Sequence, residues 1–356
     1  MRLKQIDFLK FLFILIILYG HIIQHFMMPQ FSHVPFFSWL IKHTSYSFGY
    51  LCEGFFIISG FFFVKYLCEQ DLNIKHFIIS KMARFLPVVL FEICGRFVLC
   101  LIGWEPGDFS IVYANVPALF LIPNSITVYV PSYLNWFIGS LFYSYLFFCL
   151  LRKIINGNSF YYLTAIICIL SYSILFNKLE LYNEPVVWNG IFSFYFIRGI
   201  AGVGLGIIIG RVFNLYPPKQ RLHDKCSIFW SLVELTMGLL LIYLCIIHYE
   251  RYGLIPILTC FVIIFCSFLY NRTYISKFVS KNYFVFLAKP LFSIYIIQFL
   301  VLIILNHTLY FNSIIGVEAF PLCNVVFSII FVYLCSFIVY YFIEERFKRI
   351  ILTYFN

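Results

Sequence analysis

Ionisable residues sit in the first apolar stretch of this chain, where a buried segment should have none. In MRLKQIDFLKFLFILIILYGHIIQH, Asp7 and Lys10 come near the start and His21 lies deep in the apolar run. Lys10 and His21 are eleven residues apart, close to three helical turns. On a helix both project from one face, roughly 16 Å apart along the axis. An imidazole inside an apolar layer is costly unless something bonds or uses it. A neutral imidazole can take a proton from a hydroxyl. A carboxylate beside it would hold its tautomer and stabilise the imidazolium.

Glu53 is the carboxylate that counting supplies. It is about 18 Å from Lys65 on its own helix, and Arg96 and Arg198 are about 18 Å and 20 Å from Arg84 and Arg211 on theirs. His21, Glu53, Arg96 and Arg198 therefore fall in one layer, somewhat beyond the midplane of a roughly 30 Å apolar core. Glu92 lies one turn from Arg96, and Glu234 at similar or shallower depth. Buried charges of this kind are paired or functional. The coincidence predicts one shared cavity, with Glu92–Arg96 readable either as part of it or as an intrahelical ion pair. Lys81 and Arg84, one turn apart in Ser80-Lys81-Met82-Ala83-Arg84, add a basic cluster at the mouth of the third span, with Lys10 on the same side. Cations of this kind suit phosphates. A coenzyme A docked there would carry its thioester on an arm able to cross the Lys10–His21 distance.

These residues need a frame, and the composition dictates it. Of 356 residues, 63% are hydrophobic and 11% charged, and the mean hydropathy is +0.94. A soluble domain cannot hide that much apolar surface. The apolar runs are continuous rather than alternating, which argues against a β-barrel. The expectation is an all-α polytopic membrane protein with about ten transmembrane helices. They are read at 8–28, 47–67, 83–103, 135–153, 160–177, 189–211, 229–248, 253–270, 290–310 and 321–343. Cytoplasmic termini place 20 of the 25 Lys and Arg on the inner side, as the positive-inside rule requires. The net charge of +10 then reflects inner loops and anionic lipid heads rather than nucleic acid. The twelve cysteines lie mostly in apolar runs and read as small hydrophobes, not disulfides or metal ligands. The N-terminal run lacks a cleavage site and reads as an uncleaved span. The chain 1–356 reads as a single membrane domain with no appended soluble domain. Its proline-rich outer segment from Trp104 to Pro131 reads as a re-entrant or interfacial loop. Gly60 gives a small-residue notch, and the glycines from Gly199 to Gly210 read as helix packing.

Six stretches, in order, resemble the acyltransferase 3 family of bacterial integral-membrane acyltransferases. Lys10-x10-His21 is similar to that family's first-span motif. Glu53-Gly54-Phe55-Phe56-Ile57-Ile58-Ser59-Gly60 resembles its second, and Lys81-x-x-Arg84 with Phe85-Leu86-Pro87 its basic segment. Asn135-Trp136-Phe137 through Tyr143, Ser293-Ile294-Tyr295-Ile296-Ile297 and Ile343-Glu344-Glu345-Arg346-Phe347 match later segments. Gln298 stands where many members have His, Lys81 where Arg is usual, and Arg346 where Pro is usual. The resemblance implies transfer of an acyl group, commonly acetyl from cytoplasmic acetyl-CoA, to a sugar hydroxyl of a cell-surface polysaccharide or lipid-linked glycan at the bacterial plasma (inner) membrane. Succinyl transfer stays open.

On this reading His21 is the base or transient acyl carrier and Glu53 orients it. Lys10, Lys81 and Arg84 hold the donor, and Arg96, Arg198, Trp136, Tyr143 and Ser59 line the cavity or meet substrate. Direct transfer and an acyl-His route are both compatible with the sequence. No metal or permanently bound cofactor is expected. The expected partners are acyl-CoA, the glycan or glycolipid acceptor, the bilayer and polysaccharide-synthesis proteins. The alternatives are a glycolipid or anion transporter or flippase, and a non-catalytic scaffold in a polysaccharide-synthesis complex. The absence of inverted repeats counts against transport.

Overall fold

The structure, a computed structural model, describes residues 3–23, 46–68, 73–104, 135–177, 187–188, 192–217, 224–246, 254–270, 273–308 and 321–355. The long helices are α1 (Lys4–His21), α2 (Leu51–Leu67), α3 (Ile74–Leu101), α4 (Asn135–Ile154), α5 (Asn158–Asn177), α6 (Phe194–Leu215), α7 (Asp224–Ile246) and α8 (Leu254–Tyr270). Two six-residue helices follow, α9 (Tyr274–Val279) and α10 (Asn282–Leu287), then α11 (Leu291–Thr308), α12 (Pro321–Val339) and α13 (Glu345–Phe355). A 3-10 turn, Tyr46–Tyr50, leads into α2, and a π turn, Tyr340–Glu344, joins α12 to α13. One antiparallel pair, Val187–Trp188 with Phe192–Ser193, precedes α6. The regular structure among the described residues is otherwise helical, as continuous apolar runs demand where backbone groups must bond within their own segment.

Among the described residues seven helices are long and apolar enough to cross a membrane, and Leu254–Leu269 is a shorter apolar one. Helices α1 and α3 occupy the other two span positions but carry charge, α1 at Lys4, Asp7 and Lys10, α3 at Lys75, Lys81, Arg84, Glu92 and Arg96. On α12, Val326, Ile330, Leu334 and Ile338 recur every fourth residue and are exposed. An outward apolar stripe of that length fits lipid, not water.

Several boundaries differ from those expected. Helix α1 starts at Lys4, and its α-helical part runs to His21 with Ile22 and Ile23 in a π-type turn; residues 24–28 of the expected span lie outside the described residues. Helix α3 begins at Ile74, so Lys81 and Arg84 sit two turns or more inside a continuous helix that starts earlier than the expected span. At about 1.5 Å per residue, its 28 residues reach well past a 30 Å core. The loop expected between α8 and α11 is instead folded as α9 and α10. The covering segment expected between Trp104 and Pro131 lies, beyond Trp104, outside the described residues. Of the cysteines, Cys52, Cys149, Cys168, Cys245 and Cys260 are buried thiols, while Cys68, Cys94 and Cys323 are exposed.

The described residues divide between two compact units. One is drawn from Met1–Leu51, Val98–Pro106 and Pro218–Ile343, the other from Cys52–Phe97, Gly107–Pro217 and Glu344–Asn356. In the first, Glu234 on α7 is a structural knot rather than a member of the charged layer. Its carboxylate accepts from Ser267 Oγ and Thr273 Oγ1, each at 2.6 Å. Thr273 Oγ1 in turn accepts from the Ser276 backbone N–H at 2.9 Å and so caps α9. Glu234 thereby ties α7 to the end of α8 and the start of α9.

In the second unit α2 and α6 pack with their backbones in near contact. A Cβ on Gly60 would collide with the Val203 carbonyl, and one on Gly206 with the Ile57 carbonyl, with Phe61 N only 2.7 Å away. Small residues at such a crossing let helices approach to backbone contact. Gly206→Leu must push α2 from α6, and overpacking of this kind costs about 1–3 kcal/mol or more. A clear drop in the melting midpoint of the purified variant is the expected outcome, whereas Gly238→Leu, where nothing lies within 4 Å of a Cβ, leaves it unchanged.

Candidate active site

In the first unit the site is built around His21. The apolar run of α1 delivers the imidazole, half-buried, at the last α-helical residue, and the chain passes into a π-type turn at Ile22 and Ile23. Wide turns of this kind recur at functional sites. The α-helix carbonyl end also favours positive charge at that point. Nδ1 of His21 lies 3.1 Å from Oε1 of Gln298, which is fully buried on α11. Nε2 of Gln298 donates to the Tyr295 carbonyl at 2.9 Å. The ring is flanked by Phe48, edge-on at 5.1 Å, and by Phe299 at 5.0 Å. Phe48 comes from the 3-10 turn and fits only because residue 20 is glycine, where a Cβ would collide with its ring. Lys10 lies three turns earlier on the same continuous helix, as its spacing demanded.

In the second unit the α2–α6 crossing aligns Glu53 with Arg198. They form a direct ion pair, Arg198 Nε to Glu53 Oε1, with both side chains almost fully buried. The guanidinium also lies 4.7 Å over the Trp136 ring, which stacks on Tyr195 at 4.5 Å. A cation held by a carboxylate and an aromatic face is the arrangement that makes a buried charge tolerable. Tyr172 is 7% exposed, and its hydroxyl has no hydrogen-bond partner among the described residues. Arg96 is buried and lies 3.6 Å from Glu92, an intrahelical pair of the kind expected as one of two readings. Ser59 is half-buried. Tyr143 is half-buried, edge-on to Phe142 at 5.4 Å.

The basic segment of α3 lies in this second unit. Lys81 Nζ sits 5.1 Å from the Phe77 ring and 5.0 Å from that of Tyr145. Arg84, half-exposed, places Nε 3.4 Å from Oε1 of Glu344, a buried carboxylate in the π turn after α12. Two motif segments 260 positions apart thus meet as an ion pair.

The structure therefore joins Glu53, Arg198 and Trp136 in one cluster and sets Lys81 and Arg84 on one helix. His21 and Lys10 share α1. His21 and Glu53 belong to different units, and each is described with its own partners. At Nδ1 the imidazole meets Gln298. Sequence reasoning passed over Gln298, Phe48, Tyr195 and Glu344 as site residues. The signal for Gln298 was present, since it is a polar side chain in the otherwise apolar Ile294–Leu305 run beside the Ser-x-Tyr segment.

Long apolar helices, with an imidazole at a helix end in one unit and a buried ion pair between helices in the other, define a multi-pass membrane protein. A sequence model of the acyltransferase domain, that of the acyltransferase 3 family, matches residues 3–341. The chain belongs to that family and is a membrane acyltransferase. No curated protein and no solved structure matches it.

Proposed function

We propose that the protein moves an acetyl group from cytoplasmic acetyl-CoA to a sugar hydroxyl of a cell-surface polysaccharide or lipid-linked glycan, as a ten-span protein of the bacterial plasma membrane with both termini inside. The observation that carries this reading is His21, held at the end of α1 by Gln298 within a chain of the acyltransferase family. The base is His21. The donor's phosphates meet Lys10, Lys81 and Arg84, and the charge-rich layer of Glu53, Arg198 and Trp136 receives the polar acceptor, with Tyr143, Ser59 and Arg96 around it. Mass analysis of surface glycans from strains with and without the gene tests it. Loss of a 42 Da substituent is expected, and identical glycans would refute it.

The phosphate role makes a separate prediction. Lys81→Ala with Arg84→Ala removes charge that contacts the donor equally in ground and transition states, which raises KM without changing kcat. KM for acetyl-CoA rises about tenfold or more, each phosphate contact being worth about 1.5–3 kcal/mol. Steady-state kinetics in detergent measures this, and an unchanged KM removes both residues from the donor site.

A further inference from the structure

We infer that Gln298 fixes the tautomer of His21 and, by being an amide, commits the enzyme to direct acyl transfer rather than an acyl-histidine route; this rests on the acyltransferase reading above. The amide has one orientation open to it. Its NH2 donates to the Tyr295 carbonyl at 2.9 Å, so the atom facing His21 is the oxygen. Reversed, the amide would set its oxygen against the Tyr295 carbonyl oxygen, a repulsive contact in place of a buried hydrogen bond. An amide oxygen only accepts, so Nδ1 must carry the proton and donate it over 3.1 Å. Nε2 is then the unprotonated nitrogen, the one able to take a proton or attack a carbonyl. Packing of Phe48 and Phe299 against the ring holds it in this pose.

The two routes then separate on where a proton can go. In direct transfer Nε2 removes the proton of the acceptor hydroxyl as its oxygen bonds to the thioester carbon. The C–S bond breaks, and the imidazolium returns that proton to the departing thiolate, leaving ester and free thiol. Nδ1 keeps its proton throughout, and Gln298 needs only to accept a hydrogen bond. In the two-step route Nε2 attacks the thioester and becomes acylated while Nδ1 still holds a proton. The result is a cationic acyl-imidazolium, neutralised only if Nδ1 loses that proton. A carboxylate or a second imidazole at position 298 could take it, and an amide cannot. In direct transfer the charge lasts only until the thiolate takes the proton back, whereas the acyl-imidazolium would keep a charge that Gln298 cannot relieve, which disfavours the acylated state.

The test uses the full-length protein in detergent or nanodiscs with acetyl-CoA and isolated acceptor glycan. Gln298→Leu is expected to lower kcat about 100-fold, the worth of a correctly presented base, with KM for both substrates within about twofold. Gln298→Glu, nearly isosteric, keeps the acceptor for Nδ1–H and retains kcat within about tenfold. Its carboxylate stabilises the imidazolium, so the acid limb of its pH profile moves to higher pH. A merely structural role would change stability and leave that limb in place. Nitrogen NMR of labelled histidine should show Nδ1–H in the wild type. Wild-type protein incubated with acetyl-CoA alone, then digested and weighed, should show no acetyl on His21. Wild-type kcat and pH profile in both variants, or an acetyl-His21 that chases into glycan, overturns the inference. Should Gln298→Leu fail to fold, the Glu variant and the acylation assay decide. His21→Ala run alongside keeps the two ideas apart: its inactivity supports the base, and its full activity removes the base and the inference together.

Discussion

His21→Ala is expected to abolish acetylation of the surface glycan while the protein still reaches the membrane in normal amount. A general base contributes about 10²–10⁴-fold to rate, enough to bring transfer below detection in cells. The substitution removes a half-buried ring, flanked on two sides by Phe48 and Phe299. Its cost to folding is that of a modest cavity together with an orphaned Gln298 oxygen, about 1–3 kcal/mol. The activity loss therefore exceeds what lost protein would explain, provided membrane levels are measured by immunoblot in the same strains. His21→Gln refines the comparison, because it fills much of the space and carries no titratable nitrogen. If either variant acetylates glycan at the wild-type rate, His21 is not the base.

The second large effect is on stability. Arg198→Leu removes the guanidinium that pairs with Glu53 and leaves that carboxylate buried. Breaking a buried pair from one side costs about 3–5 kcal/mol, whereas replacing both members is often close to neutral. A desolvated cation over an aromatic face adds roughly 2 kcal/mol to what is lost. Arg198→Leu should accordingly lower the melting midpoint, read by fluorescence-detected size exclusion, far more than Arg198→Leu combined with Glu53→Leu. The double variant should remain folded and lose activity if the pair also serves the acceptor. Equal midpoints for single and double variants would mean that the pair carries no coupling energy.

How much of this was legible beforehand depends on which coordinate a residue's position needed. The helical rise sets depth, so Glu53 and Arg198 could be assigned to one layer from their distances to Lys65 and Arg211, and they do meet. Depth is one coordinate of three. It does not say which side of a helix a residue occupies or which helices adjoin, so the nitrogen partner of His21 stayed hidden: Gln298 is 277 positions away. Glu344 was hidden for the same reason, 260 positions from Arg84. Glu234 shows the opposite error. Its depth matched the charged layer, but the hydroxyls of Ser267 and Thr273 claim it for structure. The glycines of α6 were read correctly because small residues in an apolar helix have one common use, close approach. Helices α9 and α10 were missed because six residues carry too little periodicity to register.

The most direct measurement of the central claim uses purified protein in proteoliposomes supplied with labelled acetyl-CoA and a lipid-linked glycan acceptor. Thiol release and labelled ester on the glycan should appear together, require both substrates, and vanish in His21→Ala. Movement of the glycolipid across the bilayer with no acetyl-CoA consumed would contradict the account and make the protein a transporter.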